Sequence, residues 1–72
     1  MTRSEYQYAR ETLGWTHKRM AQVLGVKRRS PYRYAAGETI PEPIARLLRL
    51  LVTMRLTTSE KKFNSFVDQL LY

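Results

Sequence analysis

The chain has 72 residues, no cysteine and a formal net charge of +7 at pH 7. This length predicts a single domain with a small core, and the lack of cysteine excludes both a disulfide and a thiolate metal site. No apolar run approaches the roughly 20 residues that span a bilayer, and the polar N-terminus does not resemble a signal peptide. We therefore expect a soluble intracellular protein.

The first predicted helix covers residues 4–13, with Gly14 as its stop. Two pairs have capping-box spacing: Thr2 with Glu5, and Ser4 with Gln7. The second helix has Thr16 as its N-cap and runs to Leu24, and Gly25 supplies the left-handed residue that ends it. A third helix lies within residues 27–36 and closes at Gly37.

Two further helices are predicted after the proline-containing linker 38–43. The fourth covers about residues 42–56 and is the most apolar part of the chain, with prolines that suit its first turn. Residues 57–60 have capping-box spacing and begin the last helix, whose apolar residues follow the i, i+3, i+4, i+7, i+8 rule. We divide the chain into a domain at 1–56 and a C-terminal helix at 57–72.

The positive charge is concentrated in the middle of the chain. Residues 12–37 contain six basic residues and no acidic one, whereas the rest of the chain has seven basic and six acidic residues. A patch of one sign suits a polyanion such as nucleic acid or an acidic membrane. Two helices joined by a tight glycine turn are also the form in which a helix is presented to the DNA major groove.

Several segments resemble the Cro/CI-type (XRE) helix-turn-helix regulators over about residues 4–56. They are Gly14-Trp15-Thr16, Met20-Ala21-x-x-Leu24-Gly25-Val26, Arg28-Arg29, Tyr34-Ala35-Ala36-Gly37, Ile40-Pro41 and Ala45-x-Leu47-Leu48. The resemblance implies an all-α, compact five-helix domain of the lambda-repressor type, with a last helix that could serve dimerisation.

The chain departs from this family at the start of the third helix. Lys27 stands where the family has a Ser or Thr cap, and Pro31 stands where it has a buried Val or Ile. A proline at that place removes one helical hydrogen bond and fills the core poorly. Alternatively, Ser30 is the cap and Pro31 the first helical residue, which would leave residues 27–29 in a lengthened turn. Both registers remain open.

The resemblance assigns DNA contacts to two groups of residues. Base contacts are implied for Arg28, Arg29, Arg33, Lys27 and Tyr32. Arginine suits this role because its guanidinium can donate two hydrogen bonds to guanine. Backbone contacts are implied for Thr16, His17, Lys18, Ser30 and Thr39.

The apolar face of the last helix either folds back on the domain or pairs with a second subunit, and we expect a homodimer. Its predicted interface comprises Leu50, Met54, Phe63, Phe66, Val67, Leu70 and Leu71. Two-fold symmetry would then place two recognition helices about 34 Å apart on a palindromic operator.

The chain is therefore predicted to be a sequence-specific double-stranded DNA-binding transcription regulator, a dimeric autorepressor of a phage or mobile-element operon. Its expected location is the bacterial or phage-infected cytoplasm, at the nucleoid. The alternatives are an antitoxin-type module that binds a protein partner and DNA, and a non-specific nucleic-acid binder. We expect no enzyme activity, cofactor, metal, small-molecule ligand or membrane partner, because no catalytic triad, phosphate-binding loop or metal-ligand spacing is present.

Overall fold

The computed structural model describes residues 1–72 as five α-helices without a strand, which confirms the all-α prediction. The helices are α1 (Arg3–Leu13), α2 (His17–Leu24), α3 (Ser30–Ala35), α4 (Glu42–Thr57) and α5 (Glu60–Leu71). Together they form one body with Cα extents of 31 × 22 × 20 Å. No helix has both the length and the apolar character needed to cross a membrane.

Side-chain caps define where the first two helices begin. The Glu5 amide donates to Thr2 Oγ1 at 3.1 Å, and the Thr2 amide donates to Glu5 Oε1 at 3.0 Å. This reciprocal pair is the capping box, so α1 begins at Arg3 and the alternative pair starting at Ser4 lies inside the helix. Thr16 Oγ1 accepts a hydrogen bond from the Arg19 amide at 3.1 Å, as predicted for the N-cap of α2.

Glycines end the first two helices in the left-handed conformation. Gly14 has φ 70° and Gly25 has φ 69°, a region that residues with a Cβ rarely occupy. Since α2 is bounded by the Thr16 cap and by Gly25, it is limited to eight residues. The chain can therefore turn sharply into the segment that leads to α3.

Helix α3 follows neither predicted register completely. The helix begins at Ser30, and Arg29 occupies the N-cap position without a side-chain cap. Both proposed N-caps, Lys27 and Ser30, are therefore wrong, although residues 27–29 lie in a lengthened turn, as the second register expected. Pro31 is in the first turn, where its missing N–H costs little. Its side chain is less than 2% exposed, so the proline is buried at this position.

The core is formed by side chains from all five helices. Tyr6 of α1 and Tyr34 of α3 pack edge to face, with ring centroids 5.8 Å apart. The largest fully buried side chains are Tyr6, Phe63, Met20, Leu48, Leu51, Val67 and Pro31. This packing holds α1 and α4 behind α2 and α3, which leaves the outer sides of α2 and α3 in solvent.

Helix α5 folds back onto the domain. Phe63 and Val67 are each 1% exposed, and the Phe63 ring is stacked on Trp15 at a centroid distance of 6.0 Å. Arg19 of α2 and Asp68 of α5 form an ion pair at 3.8 Å. The prediction that Phe63 and Val67 belong to a dimer interface is therefore corrected, because both side chains are buried in the chain's own core.

Candidate nucleic-acid interface

The candidate interface is built from α2, the turn after Gly25, and α3. The inner sides of the two helices are buried through residues such as Met20 and Leu24 on α2 and Tyr34 on α3. Because these apolar side chains fix how the helices cross, the polar residues on their outer sides are held in place by a rigid scaffold. At 1.5 Å per residue, the six-residue α3 is only about 9 Å long.

Five cations of this segment are exposed and have no acidic partner. These free cations are Lys18, Lys27, Arg28, Arg29 and Arg33. The sixth cation of the segment, Arg19, is half-buried and paired with Asp68. The free cations are therefore an uncompensated positive charge on one contiguous segment.

Two of the three cations of α4 are arranged differently, whereas Arg55 forms no ion pair. Arg46 and Arg49 both approach Glu42, at 3.5 Å and 3.3 Å, so one carboxylate serves two guanidinium groups. These exposed pairs are of the kind that adds little to stability. Their presence nevertheless shows that the α4 surface carries local counter-charge, which the five free cations lack.

The five residues predicted to contact bases occupy two kinds of position. Tyr32 and Arg33 are exposed on α3 itself, whereas Lys27, Arg28 and Arg29 are exposed in the turn before it. Only the first pair is therefore carried by a helix that could enter a groove as a unit.

The residues predicted to contact the DNA backbone are not all brought together. Thr16 is exposed with its hydroxyl occupied as a cap acceptor, and Ser30 is half-buried at the first residue of α3. Thr39 is exposed in the connection between α3 and α4, outside the segment that holds the free cations. His17 and Lys18 open α2 and adjoin Thr16.

An aromatic contact links the start of α2 to α3. The rings of His17 and Tyr32 have centroids 4.2 Å apart and are tilted by 35°. His17 Nδ1 is buried without a hydrogen-bond partner in the chain. Burial of the ring, followed by the positive charge of Arg10, holds the pKa of His17 below its usual value of 6.5. The fold therefore favours the neutral imidazole, and the ring packs against Tyr32.

Sequence reasoning identified the cations but missed this contact and the pairing of Arg19 with Asp68. In both cases the partners lie on different helices, and no local spacing relates them. An aromatic residue in each helix of the motif was the only available signal for the first contact.

The interface contains no constellation suited to metal chemistry, since no group of three or more His, Cys, Asp or Glu side chains could hold an ion. Comparison of the chain with protein-family models, with curated proteins and with solved structures finds no match.

Proposed function

We propose that the protein is a sequence-specific, double-stranded DNA-binding transcription regulator of the Cro/CI type. In this proposal the five helices form a lambda-repressor-like domain, and α3 enters the major groove while α2 lies across the DNA backbone. The observation that carries the proposal is the set of five free cations on the helix–turn–helix segment, without any carboxylate partner. Such a surface favours a polyanion over a neutral or basic partner.

Base reading is assigned first to α3. Arg33 can donate two hydrogen bonds to O6 and N7 of guanine, the commonest specific contact in the major groove. Tyr32, backed by His17, offers a ring edge to a thymine methyl or a sugar. The proposed base-contacting set is completed by the turn residues Lys27, Arg28 and Arg29. Whether their side chains reach the base edges depends on how closely the turn approaches the groove.

Contacts with phosphates are assigned to residues around the start of α2 and α3. Free amides and the positive end of a helix dipole favour an anion at the start of α2. The proposed backbone-contacting residues are Thr16, His17, Lys18, Ser30 and Thr39.

We propose that the regulator acts as a homodimer on a palindromic operator and represses its own operon in a phage or mobile element. Apolar residues that remain exposed or half-buried could form the dimer contact: Leu50, Met54, Phe66, Leu70 and Leu71. Leu50 and Leu70 are the most available of these, at 54% and 48% exposure. An antitoxin-type module would instead have a last helix that is unpacked in the isolated chain. The buried Phe63 and Val67 favour the regulator.

Selection of bound duplexes from a random DNA pool, followed by a comparison of variants on the selected and a scrambled duplex, tests this function. We expect Arg33→Ala to reduce the preference for the selected duplex by about 1–3 kcal/mol, the value of one bidentate base contact. Arg46→Ala removes the same charge from α4 and serves as the matched control, with nearly unchanged preference. Equal losses on both duplexes for Arg33→Ala would contradict base reading and favour non-specific binding through charge.

A further inference from the structure

A small depression lies between α2 and the turn that precedes α3. Its volume is about 170 Å³, and its lining residues are Lys18, Ala21, Gln22, Val26 and Arg28. Lys18 and Gln22 are four residues apart on α2 and so lie on the same side of the helix. Arg28 approaches from the turn. Two elements therefore bring polar side chains to one place.

The charge of this depression distinguishes it from the two other depressions of the surface. A groove between α1 and α4 includes Glu5 along with Arg49. A second depression, on α5, includes Glu60 and Asp68 along with Lys61. The depression on α2 contains two cations and no carboxylate, and neither cation forms an ion pair in the chain.

The polar groups that line this depression suit a small oxyanion. A lysine ammonium has three N–H donors, a guanidinium has five, and the Gln22 amide adds two, whereas neither cation can accept a hydrogen bond. Ala21 is buried and Val26 is half-buried, and both contribute apolar surface to the lining. The attraction between an anion and the two cations is stronger beside such a surface of low dielectric constant than in bulk water.

We propose that this depression binds a single phosphate group of the DNA backbone, held by Lys18, Gln22 and Arg28 together. The inference rests on the proposed DNA-binding function and adds Gln22 to its contact residues. It also moves Arg28 from base reading to phosphate binding, because a guanidinium engaged in the depression beside α2 is not extended toward a base edge. Base reading then falls to Lys27, Arg29, Arg33 and Tyr32.

The experiment measures the affinity of the full chain for the selected and scrambled duplexes over a range of salt concentrations. Lys18→Gln should weaken binding to the selected and to the scrambled duplex by the same factor. Arg28→Gln should also weaken binding to the two duplexes equally. Gln22→Ala should also weaken both equally, with an unchanged salt dependence, since no charge is lost. Lys61→Gln removes one charge from the depression that contains carboxylates and is the matched control, with little effect expected.

The double variant Lys18→Gln/Arg28→Gln tests whether both cations hold the same phosphate. Each neutralised phosphate contributes about 0.9 to the slope of log affinity against log salt. The double variant should therefore lower the slope by about 0.9, whereas two separate phosphates would lower it by about 1.8. The larger decrease would overturn the shared site. All the substituted side chains are exposed, and circular dichroism would verify that the variants fold.

Two other outcomes would also overturn the inference. A selective loss on the selected duplex for Arg28→Gln would mean that Arg28 reads a base. If the variants, like Lys61→Gln, bind both duplexes with nearly unchanged affinity, the depression lies outside the interface. If the wild-type chain does not distinguish the two duplexes, the proposed sequence specificity fails, but the phosphate site can still be measured on either duplex.

A second arm separates a backbone phosphate from a free one. Amide NMR signals of Lys18, Gln22 and Arg28 are followed during titration with duplex DNA and, separately, with inorganic phosphate at constant ionic strength. We expect large shifts with DNA and only weak, unsaturated shifts with inorganic phosphate. Saturation by inorganic phosphate, without a response to DNA, would show that the depression takes a free phosphate compound and would overturn the backbone assignment.

Discussion

At the scale of single residues, His17 combines a position at the start of a helix, an aromatic contact and a buried ring nitrogen. It is the first residue of α2, its ring contacts Tyr32 at 4.2 Å, and its Nδ1 is buried without a partner. Protonation would place a second positive charge near Arg10, which already lowers the pKa of His17 after the larger effect of burial. The neutral ring is thus the form that the fold favours.

We expect the stability of the protein to fall as the pH is lowered through the region below 6.5. The pKa of His17 is depressed in the folded chain, so the unfolded chain takes up the proton first, and unfolding becomes easier until the folded chain is also protonated. His17→Phe keeps an aromatic ring beside Tyr32 but does not titrate, and it should not show this loss. Because the chain has one histidine, an NMR titration of the ring reports its pKa directly; a midpoint at or above 6.5 would contradict this account.

At the scale of helices, the two helices of the interface, α2 and α3, depend on tertiary packing for their stability. Helix α2 has eight residues and α3 has six, whereas isolated helices shorter than about 12–15 residues are marginal in water. Their stability must come from the core behind them. Helix α5 contributes to that core through Phe63 and Val67, and it contacts α2 directly through the Arg19–Asp68 ion pair.

Phe63→Ala should destabilise the protein by about 3–5 kcal/mol, the usual effect of removing a fully buried phenylalanine side chain. Phe66→Ala, on the same helix at a half-buried position, is the control and should cost clearly less. Chemical denaturation followed by circular dichroism measures both losses. Similar values for the two variants would mean that α5 does not depend on Phe63 for its attachment.

The start of α1, the N-cap of α2 and the ends of both helices were predictable because each depends on residues close together in the chain. Thr2 and Thr16 are capping residues, and Gly14 and Gly25 adopt the left-handed conformation that they permit. The start of α3 was not predictable, since neither candidate supplies a side-chain cap. Pro31 is instead buried in the first turn of α3, a feature that the spacing of residues along the chain does not reveal.

In the interface and in α5 too, features set by neighbouring residues were predictable, whereas features set by distant residues were not. Charge distribution along the chain predicted the free cations, because composition alone reveals a segment without carboxylates. The contact of Tyr32 with His17 joins separate helices and required the structure. Periodicity correctly marked Phe63 and Val67 as apolar positions of α5, but it could not specify whether the chain itself or a second copy covers them.

At the scale of the whole molecule, the proposed dimer depends on apolar side chains that the fold leaves in solvent. Leu50 on α4 and Leu70 on α5 are about half exposed, although α5 is docked. Domains of this size have a small core, so association would both stabilise the fold and present two copies of α3 to a palindromic site.

We expect Leu70→Glu to raise the dimer dissociation constant at least about tenfold, equivalent to about 1.4 kcal/mol, because a carboxylate would lose water on association. Leu56→Glu is the control: Leu56 is 63% exposed and is outside the proposed contact surface. Sedimentation equilibrium measures both constants. A wild-type chain that stays monomeric at all concentrations, or an equal effect of the two substitutions, would exclude this surface.

Because Trp15 stacks on Phe63, its intrinsic fluorescence reports on the position of α5. The chain has one tryptophan, and its ring lies against the first buried aromatic of α5 rather than beside α3. Fluorescence emission from this indole should therefore follow the release or retention of the last helix, without any attached dye. Because Trp15 directly precedes Thr16, a change during addition of a duplex would report binding near the start of α2 together with any movement of α5.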